Sequence, residues 1–324
     1  MPATSWTIVM TCGVLSINLL NDHQRVLSVI MMWFTAAVWV FLTVVLAPPL
    51  AVHYGRLWRE AAPPAVLTIV AATAALGTRL ALGGQRTVAA ALLVLTAVGW
   101  AALSGPVLRR WATPTVGISF LVSVSADSVA LLSGTLAVPF GARWLCVAAF
   151  LLVLLGLCLY TFAAARFDPR QLLTGRGDHW ILGGALAISA LSAASATRAA
   201  ATLGVFPQHH HALTVGTLVL WCVAMAWLPV LIVVEILRPR PNLDLRRWAT
   251  AFPIGMYAAC SFTVGAVAGI GGIVEFARVW TWVAFAFTLV LLVGLAQRIG
   301  SSRPGTTLSA PEQPAPLQHQ QKGE

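Results

Sequence analysis

Apolar runs long enough to cross a lipid bilayer recur along almost the whole chain, and no other feature limits its fold so tightly. A bilayer core of roughly 30 Å needs about 20 apolar residues in helical form. Ten such helices are expected, at about 5–20, 27–47, 63–80, 87–104, 114–132, 144–165, 180–203, 212–237, 248–268 and 279–297. Polar residues interrupt the first, whose length is marginal. Breakers stand between the runs: Asn21-Asp22, Pro48-Pro49, Pro63-Pro64, Gly83-Gly84, Pro139, Pro207, Pro239 and Pro241. With 59% hydrophobic and 9% charged residues the composition is not that of a soluble domain. The fold class expected is therefore an all-α integral membrane protein, with residues 1–300 forming one ten-helix domain. From 301 to 324 the chain turns polar and rich in Pro, Gln and Ser, and a disordered cytoplasmic tail is expected there.

The formal net charge of +10 raises the question of nucleic acid, but the basic residues lie between the apolar runs and form no single patch. They describe topology instead. Arg56, Arg59, Arg109, Arg110, Arg166 and Arg170 fall in loops on one side, with Arg176, Arg238, Arg240, Arg246 and Arg247. Arg298, Arg303 and Lys322 follow the last run on the same side, which makes fourteen of the twenty basic residues. Arg25, Arg79, Arg86, Arg143, Arg198 and Arg278 are left for the other. By the positive-inside rule both termini are cytoplasmic, which an even number of spans requires, and the cytoplasmic (cell) membrane is the expected location. The first run lacks a basic leader and reads as a retained helix rather than a signal peptide. Five cysteines, Cys12, Cys146, Cys158, Cys222 and Cys260, all fall inside apolar runs without paired spacing and read as small core residues.

Hydroxyl and aromatic residues divide by helix number. The odd-numbered runs hold 20 Ser and Thr against 11 in the even-numbered ones. Tryptophan does the reverse: Trp33, Trp39, Trp100, Trp144, Trp221, Trp227, Trp280 and Trp282 are on even runs, and only Trp6, Trp180 and Trp248 on odd ones. Small hydroxyl residues suit helix contacts and wet surfaces, and large aromatics suit lipid and its interfaces. Five helical hairpins are inferred, with odd helices inside, even helices outside and a channel along the axis of the inner five.

On that reading the pore is lined by hydroxyls. Candidates are Thr11 and Ser16 in the first run, Thr68 and Thr73 in the third, Ser119, Ser123, Ser125 and Ser128 in the fifth, and Ser189, Ser192 and Ser195 in the seventh. The alternative is that these residues simply let helices approach closely. Asp127 is the one acid in the middle of a run, and an intramembrane acid is a functional candidate with a partner to be named. Arg198 stands at a similar height two runs later, so a pair is expected, either bracing the bundle or forming an outer selectivity site. Glu235 reads as interfacial. The run His209-His210-His211 lacks nearby carboxylates or thiolates and reads as exposed loop, not a metal site. No nucleotide loop, nucleophile–base arrangement or haem motif is present, so neither an enzyme nor an ATP-driven pump is expected, and no cofactor.

The ninth run opens Trp248-Ala-Thr-Ala-Phe-Pro-Ile-Gly-Met-Tyr257. A proline here removes a backbone donor, so the helix is expected to bend at Pro253 and Gly255 beside the bulky Phe252. This segment resembles the ninth-helix motif of the tellurite-resistance/dicarboxylate transporter family, which includes bacterial TehA and the plant slow-type anion channels. Val9-Met-Thr-Cys-Gly-Val-Leu-Ser-Ile17 is similar to the family's first helix, and Trp180-Ile-Leu-Gly-Gly-Ala-Leu-Ala-Ile-Ser189 to the start of its seventh. The resemblance covers residues 5–299. It implies a homotrimer with one pore per protomer, five inner helices ringed by five outer ones, and Phe252 as the gate. Small inorganic anions, short carboxylates or tellurite are the implied substrates. Asp127 departs from the neutral polar residue expected in the fifth helix, which keeps a proton-coupled dicarboxylate carrier using Asp127 as the alternative. A membrane scaffold or receptor that transports nothing is the reading from another class.

Overall fold

The computed structural model describes residues 5–301 apart from 54, 56–62, 110, 112–113, 175–178 and 240–246. Ten long helices follow one another: α1 (Trp6–Asn21), α2 (Arg25–Val52), α3 (Thr68–Leu82), α4 (Arg86–Arg109), α5 (Leu121–Phe140), α6 (Arg143–Ala164), α7 (Trp180–Leu203), α8 (His210–Leu237), α9 (Trp248–Ala268) and α10 (Gly271–Ser301). Short 3-10 turns lead into α3, α5 and α8, and the five-residue helix Arg170–Thr174 lies between α6 and α7. Among the described residues there is no strand, only an isolated bridge between Thr115 and Phe167. The chain is an all-α membrane protein.

Nine of these helices are long and apolar enough to cross a bilayer, counting only described residues. The exception is α1, whose 16 residues rise about 24 Å at 1.5 Å each. Fourteen of its residues are buried, so protein surrounds it along most of its length. The bounds of α7 and α9 are those expected. Three prolines expected to act as breakers lie inside helices instead: α2 runs through Pro48 and Pro49 to Val52, and α5 runs through Pro139 to Phe140. Proline's fixed φ is a helical φ, and because these three fall in the last turns of their helices, the bond each removes loosens only a helix end. The polar tail, apart from Ser301, lies outside the described residues, as do Arg56, Arg59, Arg110, Arg176, Arg240, Arg246, Arg303, Lys322 and Pro241.

Every turn from an odd helix to the next even one is tight. Gly141, Gly204 and Gly269 close α5, α7 and α9 in the left-handed conformation that lets the chain reverse without a Cβ clash. After α1 the same position is held by His23, at φ 62°. The packing follows a regular order. Contacts between odd helices close a cycle: α1 on α3, α3 on α5, α5 on α7, α7 on α9, and α9 back on α1. Each even helix rests on the odd helix before it and on the next one round the cycle. Burial follows the same division. In α3, α5, α7 and α9 between 78% and 100% of the most apolar stretch is buried, against 11% to 33% in the even helices.

Several even-helix tryptophans turn inward instead of meeting lipid. Trp39 of α2 donates its indole N–H to Thr73 Oγ1 (3.0 Å), Trp221 of α8 to Ser261 Oγ (2.8 Å), and Trp280 of α10 to the Ile254 carbonyl (3.0 Å). Trp33, Trp144 and Trp282 face outward as expected. The aromatic bias of the even helices thus has two physical causes: lipid contact, and indole donors that anchor outer helices to inner ones.

Candidate functional site

All five odd helices meet at one internal cavity. Val14 and Ile17 of α1 line it, with Ala71, Ala74 and Ala75 of α3. Ser128 and Leu131 of α5 and Ile188 and Leu191 of α7 continue the wall, and Phe252, Met256 and Ala259 of α9 close it. The space is about 20 Å³, enough for one water molecule. Phe252 is the largest side chain on this wall and is 3% exposed.

Glycines on neighbouring helices make room for the α9 segment that carries Phe252. A Cβ added at Gly184 of α7 would lie 2.8 Å from Pro253 Cγ, and one at Gly183 would lie 2.2 Å from the Tyr257 hydroxyl. At Gly255 an added Cβ would lie 3.2 Å from Val14. The Gly-Gly pair at the start of α7 and the Pro-x-Gly of α9 are therefore two sides of one close approach. Helix α9 continues without interruption through Pro253. Just beyond, two of its carbonyls receive donors from other helices: Trp280 Nε1 reaches Ile254 O, and Asn18 Nδ2 of α1 reaches Gly255 O at 2.8 Å. Side-chain donors on mid-helix carbonyls favour a local bend.

The hydroxyl candidates are distributed differently from the cavity wall. Thr11 donates toward Trp248 O at 3.5 Å. Ser16 donates to Ser28 O on α2, and Ser28 Oγ donates back to Ser16 O, both at 2.7 Å. Arg79 Nε lies 2.9 Å from Ser16 Oγ and 3.0 Å from Ser28 Oγ, so this buried arginine ties α3 to α1 and α2. Thr68, Thr73 and Ser125 give their protons to carbonyls three or four residues back. Ser119 Oγ accepts from the Val116 N–H at the entry to α5. Ser123 donates to Gly156 O of α6 (2.8 Å), and Ser192 to Asp127 O (2.7 Å). Of all these candidates the cavity wall includes Ser128, which donates to Val124 O. The others bond within their own helices or across the seams between helices.

Asp127 belongs to the α5–α6–α7 seam. Its Oδ2 accepts from Ser189 Oγ at 2.6 Å and lies 3.3 Å from Ser123 Oγ, whose proton goes to Gly156 O, while Oδ1 has no hydrogen-bond partner. Gly156 of α6 provides the space, since a Cβ there would fall 2.4 Å from Oδ1. The pair expected between Asp127 and Arg198 is absent. Asp127 is fully buried in the seam, whereas Arg198 is exposed near the C-terminal end of α7, and neither has an ion-pair partner among the described residues. Similar height along two helices says nothing about which way each side chain points, and here one is buried and the other exposed. Glu235 pairs with Arg247 and accepts from Trp180 Nε1, tying α8, α9 and α7 together at one end. The histidine run is exposed as expected, but it is not a loop: His209 ends a 3-10 turn and His210 opens α8. No group of residues suited to a metal ion occurs among the described residues.

Sequence reasoning found Phe252 and Ser128 on this wall and missed its aliphatic majority. Alanine, valine and leucine at i, i+3 and i+4 carry no signal that separates an axial cavity from ordinary helix packing. Residues 1–296 match the family model for the voltage-dependent anion channel, SLAC1. No curated protein sequence matches the chain.

Proposed function

The chain belongs to the SLAC1 family of voltage-dependent anion channels, a multi-pass membrane protein that transports anions, and on that premise we propose that it is a channel-like permease shut by Phe252. The observation that carries the reading is the convergence of five helices on one apolar constriction with room for a single water. A hydrated anion does not fit there, and a bare one would lose its hydration without gaining donors. Hydrophobic constrictions of this kind gate by dewetting. Moving the Phe252 ring aside is the smallest change that would open the path, and Pro253 and Gly255 shape the helix that carries it. Small inorganic anions, short carboxylates and tellurite are the substrates proposed.

The positive-inside distribution supports cytoplasmic termini in the cell membrane, which turns the C-terminal ends of the odd helices outward. Arg198 then faces the outer water, where an unpaired guanidinium attracts anions toward the mouth. The lipid-facing even helices supply the surface for a homotrimer. The carrier alternative needs Asp127 in the path. Its seam position, off the cavity wall, favours the channel-like reading and makes Asp127 a brace between α5, α6 and α7.

Wild type and Phe252→Ala reconstituted in liposomes test the gate. The expected result is a nearly silent wild type and a mutant whose reversal potential follows a chloride, nitrate or malate gradient. A folded mutant as silent as wild type removes Phe252 from the gate. Saturable malate uptake that collapses with the pH gradient, and is lost in Asp127→Asn, would replace the channel by the carrier.

A further inference from the structure

We propose that Thr78 of α3 and Ser195 of α7 form a neutral binding site for a small, partly dehydrated monovalent anion, immediately beyond the constriction on the side of Arg198. The site deepens the channel-like reading and rests on it for its role, but it is observable without conduction.

Three observations place it. The first is register. Ala74 and Ala75 line the cavity, and Thr78 follows them by four and three residues. Leu191 lines it, and Ser195 follows by four. Residues at these spacings share a helix face. Both faces border the same small cavity, so Thr78 and Ser195 lie one turn further along the faces that line it.

The second is hydrogen-bond bookkeeping. Hydroxyls on the inner helices generally give their protons to carbonyls, as Thr68, Thr73, Ser125, Ser128, Thr135, Ser261 and Thr263 do within their own helices. Thr78 and Ser195 do not. Thr78 is 2% exposed and its Oγ1 has no partner. Ser195, also 2% exposed, has only a long 3.4 Å contact with Thr135 Oγ1, whose own proton goes to Leu131 O. A buried hydroxyl with an unspent proton is costly unless something accepts from it. Thr78 is such a donor, and Ser195 spends its proton only on the long, weak contact to Thr135.

The third is charge. Arg198 lies one further turn along the Leu191–Ser195 face and is exposed, without an ion-pair partner among the described residues. A cation at the rim with neutral donors beneath it suits a monovalent anion: the cation raises its local concentration, and the hydroxyls replace part of its water without holding it tightly. Asp127, turned into the seam, adds no opposing charge on this face.

Bromide is the probe. Anomalous diffraction from crystals grown in bromide is expected to place one ion within hydrogen-bond reach of both hydroxyls, and Thr78→Val/Ser195→Ala is expected to abolish that peak. In the Phe252→Ala background each single change should raise the half-saturating chloride concentration several-fold. Thr197→Val, on the same helix but off this face, should leave it unchanged. A bromide-free axis, or half-saturation in the double variant equal to that of Phe252→Ala alone, overturns the site. A silent Phe252→Ala protein that still binds bromide between the two hydroxyls would sink the gate and keep the site.

Discussion

Among single residues, Gly156 is tightly constrained. Its missing side chain is the space that the Asp127 carboxylate occupies, and Ser123 bonds to its carbonyl in the same place. Gly156→Ala forces Oδ1 to move, and overpacking of this kind costs about 1–3 kcal/mol. A lower melting temperature in detergent is expected, with no change in anion selectivity once Phe252 is also replaced. A change of selectivity would return Asp127 to the path. The acid itself is conspicuous in the sequence. Its direction is not, because one turn of α5 offers faces toward the axis, the neighbouring inner helices and the outer ones. Ser128, one residue on, lines the cavity that Asp127 avoids.

Helix α9 is where the element scale matters. Proline and glycine loosen it beside Phe252, and Trp280 and Asn18 then hold two of its carbonyls from opposite neighbours. Removing the indole donor by Trp280→Phe leaves the ring but not the bond, and a net loss of about 0.5–1.5 kcal/mol is expected. If those donors also fix the gate segment, the variant should leak anions above the wild-type level in the liposome assay; unchanged leak with lowered stability would confine Trp280 to anchoring. The bounds of α7 and α9 were legible because apolar length and flanking breakers mark them plainly. The ends of α2 and α5 were not, since a proline read as a stop is compatible with helical φ near a helix end. The reach of Trp280 into α9 was also hidden, because an indole on an outer helix serves lipid or an inner carbonyl equally well.

For the whole molecule, the charge distribution makes a topological prediction. Single cysteines placed at the exposed Gln24, Gln85, Gln208 and Ile270, in the turns after odd helices, should react with a membrane-impermeant thiol reagent added to intact cells, and one in the C-terminal tail should not. The reverse pattern would invert the proposed orientation and put the Thr78–Ser195 site on the inner side. Chemical cross-linking in native membranes should stop at three subunits if the even helices form the trimer surface. Length and apolarity already determined by themselves that this chain is a multi-pass helical membrane protein, because the bilayer permits so few solutions to a backbone without water. The ninth-helix motif was enough to suggest the family. Only the tertiary structure decided which face of each inner helix borders the axis. Hydroxyl content did not reveal it, since in a bundle a serine meets its hydrogen-bonding needs as well on a neighbouring carbonyl as on a passing ion. The cavity is walled mainly by aliphatic side chains, with Phe252, Met256 and the single hydroxyl of Ser128.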